Sequence, residues 1–576
     1  MKYQANTALH LRLEGWRARL LLVLLLAGFV ALVGRAVFLQ GVHYDFLQHK
    51  GDERYSRVIE STAYRGVVRD RNGDPLALSL PAVSIWASRD DAELSPGALD
   101  RLASLLHMDR TDITHRLNQG AGNFVYLKRQ VSPEVGREVA ALKVPGLYTE
   151  KGFRRSYPKG EMMAHLLGFT DANDRGQEGA ELAFQSTLGG VAGARRVIKD
   201  RAGAVIEDVE SIREQRPGQD VRLSVDSRLQ HLAWRELRAT VARHHAKAGA
   251  VMVLDPNTGE VLAMANYPDY DPNARDHVTP AQLRNRSLAD TYEPGSTLKP
   301  FTIAAALETH RVTPATVIQT GNGTMNIGPA VVHDSHPAGA ITVAQVIQKS
   351  SNVGAARIAL GMPAETMWNM FTDVGFGQQP KSGFSGEAGG RVRPYRTWRP
   401  IEQATMSYGN GISVSLAQLA RAYTIFAGDG TLKPLSLVRV ESPPAGRPVI
   451  SAQTAAQVRD MLELVVKPEG TAPLAQVRGF RVAGKTGTAH KPEHGHYSNR
   501  YISSFVGFAP ATRPRLLIAV MIDDPTVGGY YGGLVAAPLF STLMGAALQV
   551  LGVTPDDPAS ENFATPVVPA NAAEET

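Results

Sequence analysis

The apolar run Leu20–Gly34 (LLLVLLLAGFVALVG) carries no charge, and it limits the possible folds of this 576-residue chain more than any other segment. A helix needs about 20 apolar residues to cross a bilayer. The uninterrupted run is shorter, but the long side chain of Arg35 can reach the interface, and Ala36–Leu39 then bring the segment to length. The rival reading is a cleaved signal peptide, with a shorter apolar stretch that ends in small residues. No clear A-x-A site follows here, so residues 20–40 are expected to be a retained anchor. Lys2, Arg12, Arg17 and Arg19 precede it, and mixed charge follows it (Asp45, Lys50, Asp52, Glu53, Arg54). That asymmetry puts residues 1–19 in the cytoplasm and the bulk of the chain outside it. No second stretch of spanning length is expected.

A chain of this size supports two or three domains. With 43% hydrophobic and 20% charged residues it can bury ordinary cores. It holds no cysteine, which excludes disulfide scaffolds, thiolate metal sites and thiol catalysis. The net charge of +6 suits either nucleic acid or an anionic surface. There is no long Lys/Arg run, no zinc-finger spacing and no basic stripe interleaved with aromatics, so no nucleic-acid partner is expected.

Residues 41–222 mix short β-rich and helical pieces, punctuated by turns such as Arg71-Asn72-Gly73-Asp74-Pro75 and Leu188-Gly189-Gly190. They suggest little chemistry and read as a non-catalytic pedestal or interaction module. Beyond Val221 the pattern changes. Leu229, Leu232, Ala233, Leu237 and Val241 recur at helical spacing within 226–246. Gly249–Leu254 and Glu260–Ala265 bracket Asp255-Pro256-Asn257-Thr258-Gly259, a hairpin pattern. A long helical region follows, and Arg515–Ile522 reads as a late strand. Helices enclosed by early and late strands imply an α+β domain over 223–553, with a sheet drawn from both its ends. Residues 554–576, rich in Pro, Ala, Asn and Glu, read as a disordered tail.

Three short motifs carry chemistry. In Glu293-Pro294-Gly295-Ser296-Thr297-Leu298-Lys299, Ser296 falls at a helix start and Lys299 three residues on, which puts both on one face. A serine hydroxyl needs a base, and a lysine serves as one only when burial or a neighbouring cation lowers its pKa. Ser350-Ser351-Asn352 lies in a stretch read as helical, where a hydroxyl can pass a proton and an amide can hold a carbonyl. Lys485-Thr486-Gly487-Thr488 offers a cation, two hydroxyls for a carboxylate, and at Gly487 a place where a substrate backbone could approach. Each motif alone is weak. S-x-x-K recurs at Ser156–Lys159 and S-x-N at Ser560–Asn562. In the order S-x-x-K, S-x-N, K-T-G they form the set of serine β-lactamases and penicillin-binding proteins.

The chain resembles the class B penicillin-binding proteins, and within them the cell-division branch. The resemblance extends beyond the motifs. Arg65-Gly66 with Asp70-Arg71-Asn72-Gly73 and Leu76-Ala77, Tyr157-Pro158, His165–Phe169 and Gly179-Ala180-Glu181 look like the family's pedestal. Asn285-Arg286, Phe505–Pro510, Tyr530–Gly533 and Ala536-Ala537-Pro538 look like its catalytic domain. Departures stand at Leu416, where Pro is common, at Asn410, where an aromatic is common, and near Asn173–Gly176, where a glycine is missing.

The resemblance implies an α+β fold: one transmembrane helix, an elongated β-rich pedestal, and a serine β-lactamase-like transpeptidase domain with an antiparallel sheet flanked by helices. It implies that Ser296 attacks the D-Ala-D-Ala carbonyl of a peptidoglycan stem peptide. Lys299 would be the base, Ser350 the proton relay, Asn352 the donor's guide and Lys485 the electrostatic stabiliser. Thr486, Gly487 and Thr488 would bind substrate, and the backbone N–H groups of Ser296 and Thr488 would form the oxyanion hole. No cofactor is implied. The implied partners are β-lactams, a glycosyltransferase of the FtsW type and other divisome membrane proteins, with the chain in the bacterial inner membrane, its catalytic domain in the periplasm, at the septum. The rivals are an elongation-type enzyme, a D,D-carboxypeptidase or β-lactamase, and an inactive scaffold or sensor. His490, Glu493, His494 and His496 could offer metal-ligand spacing, but Pro492 and Gly495 mark a loop and no metal is expected.

Overall fold

A computed structural model of the protein describes residues 14–44, 56–119, 123–199, 205–493 and 495–558. His494 and the Ser560–Asn562 motif lie outside the described residues, as does most of the expected tail. The chain forms two compact units, one of residues up to Ala63 with Val191–Arg216, the other of Tyr64–Gly190 with Pro217 onward. The pedestal read as 41–222 is therefore shared between them.

The first unit holds helix α1, Gly15–Val37, whose side chains are exposed along its length. With its π-helical extension it is long and apolar enough to cross a membrane. The unit also holds a three-stranded antiparallel sheet with Gly193–Lys199 between Ser56–Ser61 and Val205–Arg213.

In the second unit the strand Pro75–Ser88 pairs with Phe124–Val131 and Leu147–Ser156. A small core of Ile85, Leu102, Leu106, Ile113 and Leu127 joins these strands to the helices Pro96–Leu106 and Arg110–Asn118. Pro96 follows an N-capping Ser95 and Pro133 an N-capping Ser132, the pairing that starts a helix with fewest orphaned N–H groups. Lys159, of the spare S-x-x-K, is exposed at the turn after Ser156.

The pedestal signature residues meet in one place. Glu181 is fully buried and accepts from Arg65 Nε at 2.7 Å and Arg155 Nε at 2.6 Å. Arg65 also donates to the carbonyls of Asp174 and Glu181, at 2.9 and 2.8 Å. Asp174 takes φ +63 in the segment that lacks the family's glycine, a conformation aspartate tolerates better than most residues. Gly179, at φ +58, lies so close to Gly168 that a Cβ would fall 2.5 Å from the Gly168 nitrogen. That approach explains the glycines of both signatures.

The catalytic half is built on a five-stranded antiparallel sheet: β1 (Ala248–Leu254), β2 (Val261–Tyr267), β3 (Ala483–Glu493), β4 (His496–Ala509) and β5 (Leu516–Asp523), in the order β2-β1-β5-β4-β3. Early and late strands interleave, as the sequence pattern requires, with Met252 opposite Ala519. β1 and most of β5 are buried on both faces because helices cover both sides, so their sequences are continuously apolar rather than alternating. Helices α2 (Ser227–Arg243) and α6 (Gly532–Val550) cover one face. α3 (Lys299–Glu308), α4 (Asn352–Leu360) and α5 (Leu416–Ala427) complete the frame, and α5 packs on β1 and β5.

Two expectations need correction. By composition α6 is apolar enough to span a membrane, so the sequence does hold a second such stretch. Val535, Leu539, Phe540 and Leu543 bury it in the core instead. His490, Glu493 and His496 lie on an extended β3–β4 hairpin rather than a loop: the strands pair until Glu493 meets His496. Leu416, standing where Pro is common, is the first residue of α5 after the capping Ser415, a position where proline is well tolerated.

Candidate active site

Ser296 lies in a 3₁₀ turn, Gly295–Leu298, that runs directly into α3, with Lys299 as its first residue. The apolar sequence of α3 buries nearly the whole helix, and Lys299 with it. The same core fixes the turn: Tyr423 of α5 donates its hydroxyl to Thr297 O at 2.7 Å.

Lys299 Nζ lies 2.9 Å from Ser296 Oγ and 3.0 Å from Ser350 Oγ, and it also contacts the Ser350 carbonyl. Lys485 Nζ reaches the same Ser350 hydroxyl at 2.9 Å from the other side. Two lysines far apart in the chain thus converge on one serine. Ser350 does not sit within a helix, contrary to the sequence reading. It occupies a turn at φ +58, a left-handed conformation that costs free energy in a non-glycine residue and clusters at functional sites. Ser351 caps α4 behind it, accepting from Gly354 N at 2.8 Å. Asn352 opens α4 and donates its amide to His333 O at 2.9 Å.

Asp334, which no sequence pattern marked, holds this turn in place. Its carboxylate accepts from Ser351 Oγ at 2.7 Å and Val353 N at 2.9 Å. Only the folded chain brings it there, from a hairpin some distance upstream.

β3 is the edge strand of the sheet and carries the third motif beside the nucleophile's turn. Lys485 is buried and also contacts Thr486 Oγ1 at 3.2 Å. Thr486 Oγ1 pairs with Thr471 Oγ1 at 2.9 Å, and Thr488 Oγ1 accepts from Gly532 N at 3.0 Å. Gly487 has a packing reason that differs from the one expected. A Cβ there would lie 2.3 Å from Ser504 Oγ and 2.7 Å from Pro294 O, so the glycine lets β3 close on the nucleophile's turn.

Burial pushes both lysines down. Lys485 falls to about 7. Lys299 goes well below its ordinary value, first through burial and then through the charge of Lys485, with Asp334 partly opposing. Burial and the neighbouring cation thus favour the neutral amine at Lys299. A neutral amine 2.9 Å from a serine hydroxyl can take its proton, and a second hydroxyl between two lysines can pass that proton on. Among the described residues no group of His, Asp and Glu converges as a metal site; His490 instead packs its ring on Tyr501, 4.5 Å between centroids.

The fold and these contacts define a serine acyl-transfer enzyme of the penicillin-recognising class. Residues 249–545 match the penicillin-binding protein transpeptidase domain, and residues 60–223 the penicillin-binding protein dimerisation domain. The chain is 44% identical to the probable peptidoglycan D,D-transpeptidase PenA of Neisseria gonorrhoeae over 92% of each. It is 39% identical to the peptidoglycan D,D-transpeptidase FtsI of Escherichia coli strain K12, over 95% of this chain and 94% of the relative. Among solved structures, the transpeptidase domain of Burkholderia pseudomallei penicillin-binding protein 3 is 51% identical. It covers 58% of this chain and 98% of its own, with a TM-score of 0.55. A peptidoglycan synthetase from Bifidobacterium adolescentis covers 87% of this chain and 98% of its own at 25% identity, with a TM-score of 0.70. The chain belongs to the class B penicillin-binding proteins and is a peptidoglycan D,D-transpeptidase.

Proposed function

We propose that this transpeptidase cross-links stem peptides at the division septum through an acyl-enzyme on Ser296, and that β-lactams block it by acylating the same atom. The observation that carries the reading is the position of Lys299, within hydrogen-bond distance of both Ser296 Oγ and Ser350 Oγ. Lys299 takes the Ser296 proton as Oγ bonds to the carbonyl carbon of the penultimate D-alanine. The developing oxyanion lies between the backbone N–H groups of Ser296 and Thr488, where a single donor is worth about 3 kcal/mol. Ser350 hands the proton to the departing D-alanine nitrogen as the C–N bond breaks. Asn352 orients the donor, Lys485 supplies positive charge, and Thr486 and Thr488 receive the terminal carboxylate along β3, which Gly487 lets close on the turn. An acceptor amine then attacks the ester, loses a proton to the Lys299–Ser350 pair and releases Ser296.

The domain plan proposed with this chemistry is a cytoplasmic tail (1–19), a helix in the inner membrane (20–40), a pedestal (41–222), a periplasmic catalytic domain (223–553) and a tail. The 39% identity to a peptidoglycan D,D-transpeptidase named FtsI supports the cell-division branch, and a partner glycosyltransferase of the FtsW type is part of the same proposal.

Fluorescent-penicillin labelling of the full chain in membranes tests the chemistry. Label stable for hours in wild type and absent from Ser296→Ala is expected. Rapid loss of label points to a hydrolase. Depletion in cells tests the role: filaments are expected, whereas round cells would assign the enzyme to elongation.

A further inference from the structure

The nucleophile's turn carries a carboxylate that the scheme above leaves unused. Glu293 stands three residues before Ser296 and is half-buried. It accepts from Gly411 N at 2.8 Å, and the Tyr497 hydroxyl lies 3.1 Å from each of its oxygens. Both partners are neutral, and among the described residues no Lys, Arg or His pairs with it. Burial raises its pKa, with the Gly411 and Tyr497 hydrogen bonds partly opposing. An anion held partly out of water without a cation is costly, so a fold that keeps one beside its nucleophile has left the counter-charge to be supplied.

Backbone contacts tie it to the nucleophile's turn: its partner Gly411 lies two residues beyond Gly409, whose carbonyl accepts from Gly295 N at 3.4 Å. Asn410, beside Gly411, and Tyr408 are close enough to Tyr497 to act on it, and Tyr408 also feels Asp334. Asp334 in turn acts on Lys299. The charge that the mechanism places in this cleft is otherwise cationic, on Lys485. β3 with its lysine and hydroxyls suits the donor, which ends in a carboxylate. The second substrate has the opposite character, because an acceptor amine is an ammonium at neutral pH until it sheds a proton.

We infer that Glu293, oriented by Tyr497 and Gly411, binds the ammonium of the acceptor strand and so selects amines over water at the acyl-enzyme. The inference rests on Ser296 being the acylated residue. Asn410, one of the chain's departures from its family pattern, stands next to Gly411 and borders this subsite.

The test uses the full chain in detergent, a D-alanyl thioester as donor, and two competing nucleophiles: D-alanine, cationic at neutral pH, and hydroxylamine, which is neutral. Fluorescent-penicillin labelling follows acylation separately. Glu293→Gln keeps an oxygen to accept from Gly411 N but removes the charge. Its aminolysis-to-hydrolysis ratio with D-alanine is expected to fall about tenfold, the effect of one charge-assisted hydrogen bond. The ratio with hydroxylamine is expected to stay within about twofold, and Glu293→Asp to recover part of the D-alanine ratio. An equal fall with both nucleophiles would make Glu293 a clasp for the turn and overturn the inference, as would no fall with either. A wild-type protein that does not label would overturn the Ser296 reading instead, and the inference with it.

Discussion

Replacing Lys485 with methionine should make the protein more stable as it abolishes acylation. The side chain is fully buried, and burial alone moves its pKa from 10.5 to about 7. At roughly 1.4 kcal/mol per unit, carrying the proton into the folded state costs up to about 5 kcal/mol below pH 7. Methionine fills a similar volume without a charge. The substitution forfeits hydrogen bonds to Ser350 Oγ at 2.9 Å and Thr486 Oγ1 at 3.2 Å, together worth about 1–3 kcal/mol. It also relieves Lys299 of a cationic neighbour, which acts in the same stabilising direction. A net gain of about 2 kcal/mol remains. For a domain of about 300 residues this corresponds to a rise in Tm of roughly 3 °C. The sign with pH follows from linkage. Between about 7 and 10 the unfolded wild type binds a proton that the folded form does not, so wild-type stability rises with pH across that window. The advantage of Lys485→Met is therefore largest near pH 6.5 and fades toward pH 10. Melting curves of both full-length proteins at one scan rate, across that range, measure it. A variant that melts below wild type at about pH 6.5, or an offset that does not change with pH, would refute the burial argument.

Two further substitutions separate scaffold from site. Glu181→Gln leaves Arg65 and Arg155 buried without their carboxylate and should cost about 3–5 kcal/mol, read as a lower Tm and poorer yield, while the folded fraction still labels with penicillin. Ser351→Ala removes the cap of α4 and the hydroxyl on Asp334, for about 0.5–2 kcal/mol. Because that turn also holds Ser350, its penicillin acylation rate should fall more than its stability change accounts for.

What the sequence made legible depended on locality. Helix α2, the hairpin of β1 and β2, and β5 announce themselves through period and turn residues, and the structure places them within three residues of the expected bounds. Ser296 and Lys299 are neighbours along one turn, so their contact followed from spacing. Ser350 was harder. Its hydrophobic flank suggested continuous helix, whereas the chain breaks at φ +58 and restarts at the Ser351 cap. Asp334 and Thr471 were invisible because their roles exist only through tertiary proximity. The α6 segment misled in the other direction, since composition cannot tell a bilayer from a protein core.

The chain buries cations in two places, and the difference between them separates structure from chemistry. Arg65 and Arg155 cannot lose their charge, so the fold provides Glu181 and backbone carbonyls until the charge is met. Lys299 and Lys485 receive mainly hydroxyls, Ser296, Ser350 and Thr486, with carbonyls and no contacting carboxylate. A guanidinium could not persist in such a setting. A lysine can, because it escapes the cost by giving up its proton, and a lysine that has done so is a base. The carboxylate that could have neutralised Lys299, Asp334, is turned to Ser351 and the Val353 nitrogen instead. It steadies the turn and only weakly restores the lysine's affinity for a proton. In the proposed mechanism, withholding the counter-ion from Lys299 is what leaves it free to act as the base for Ser296.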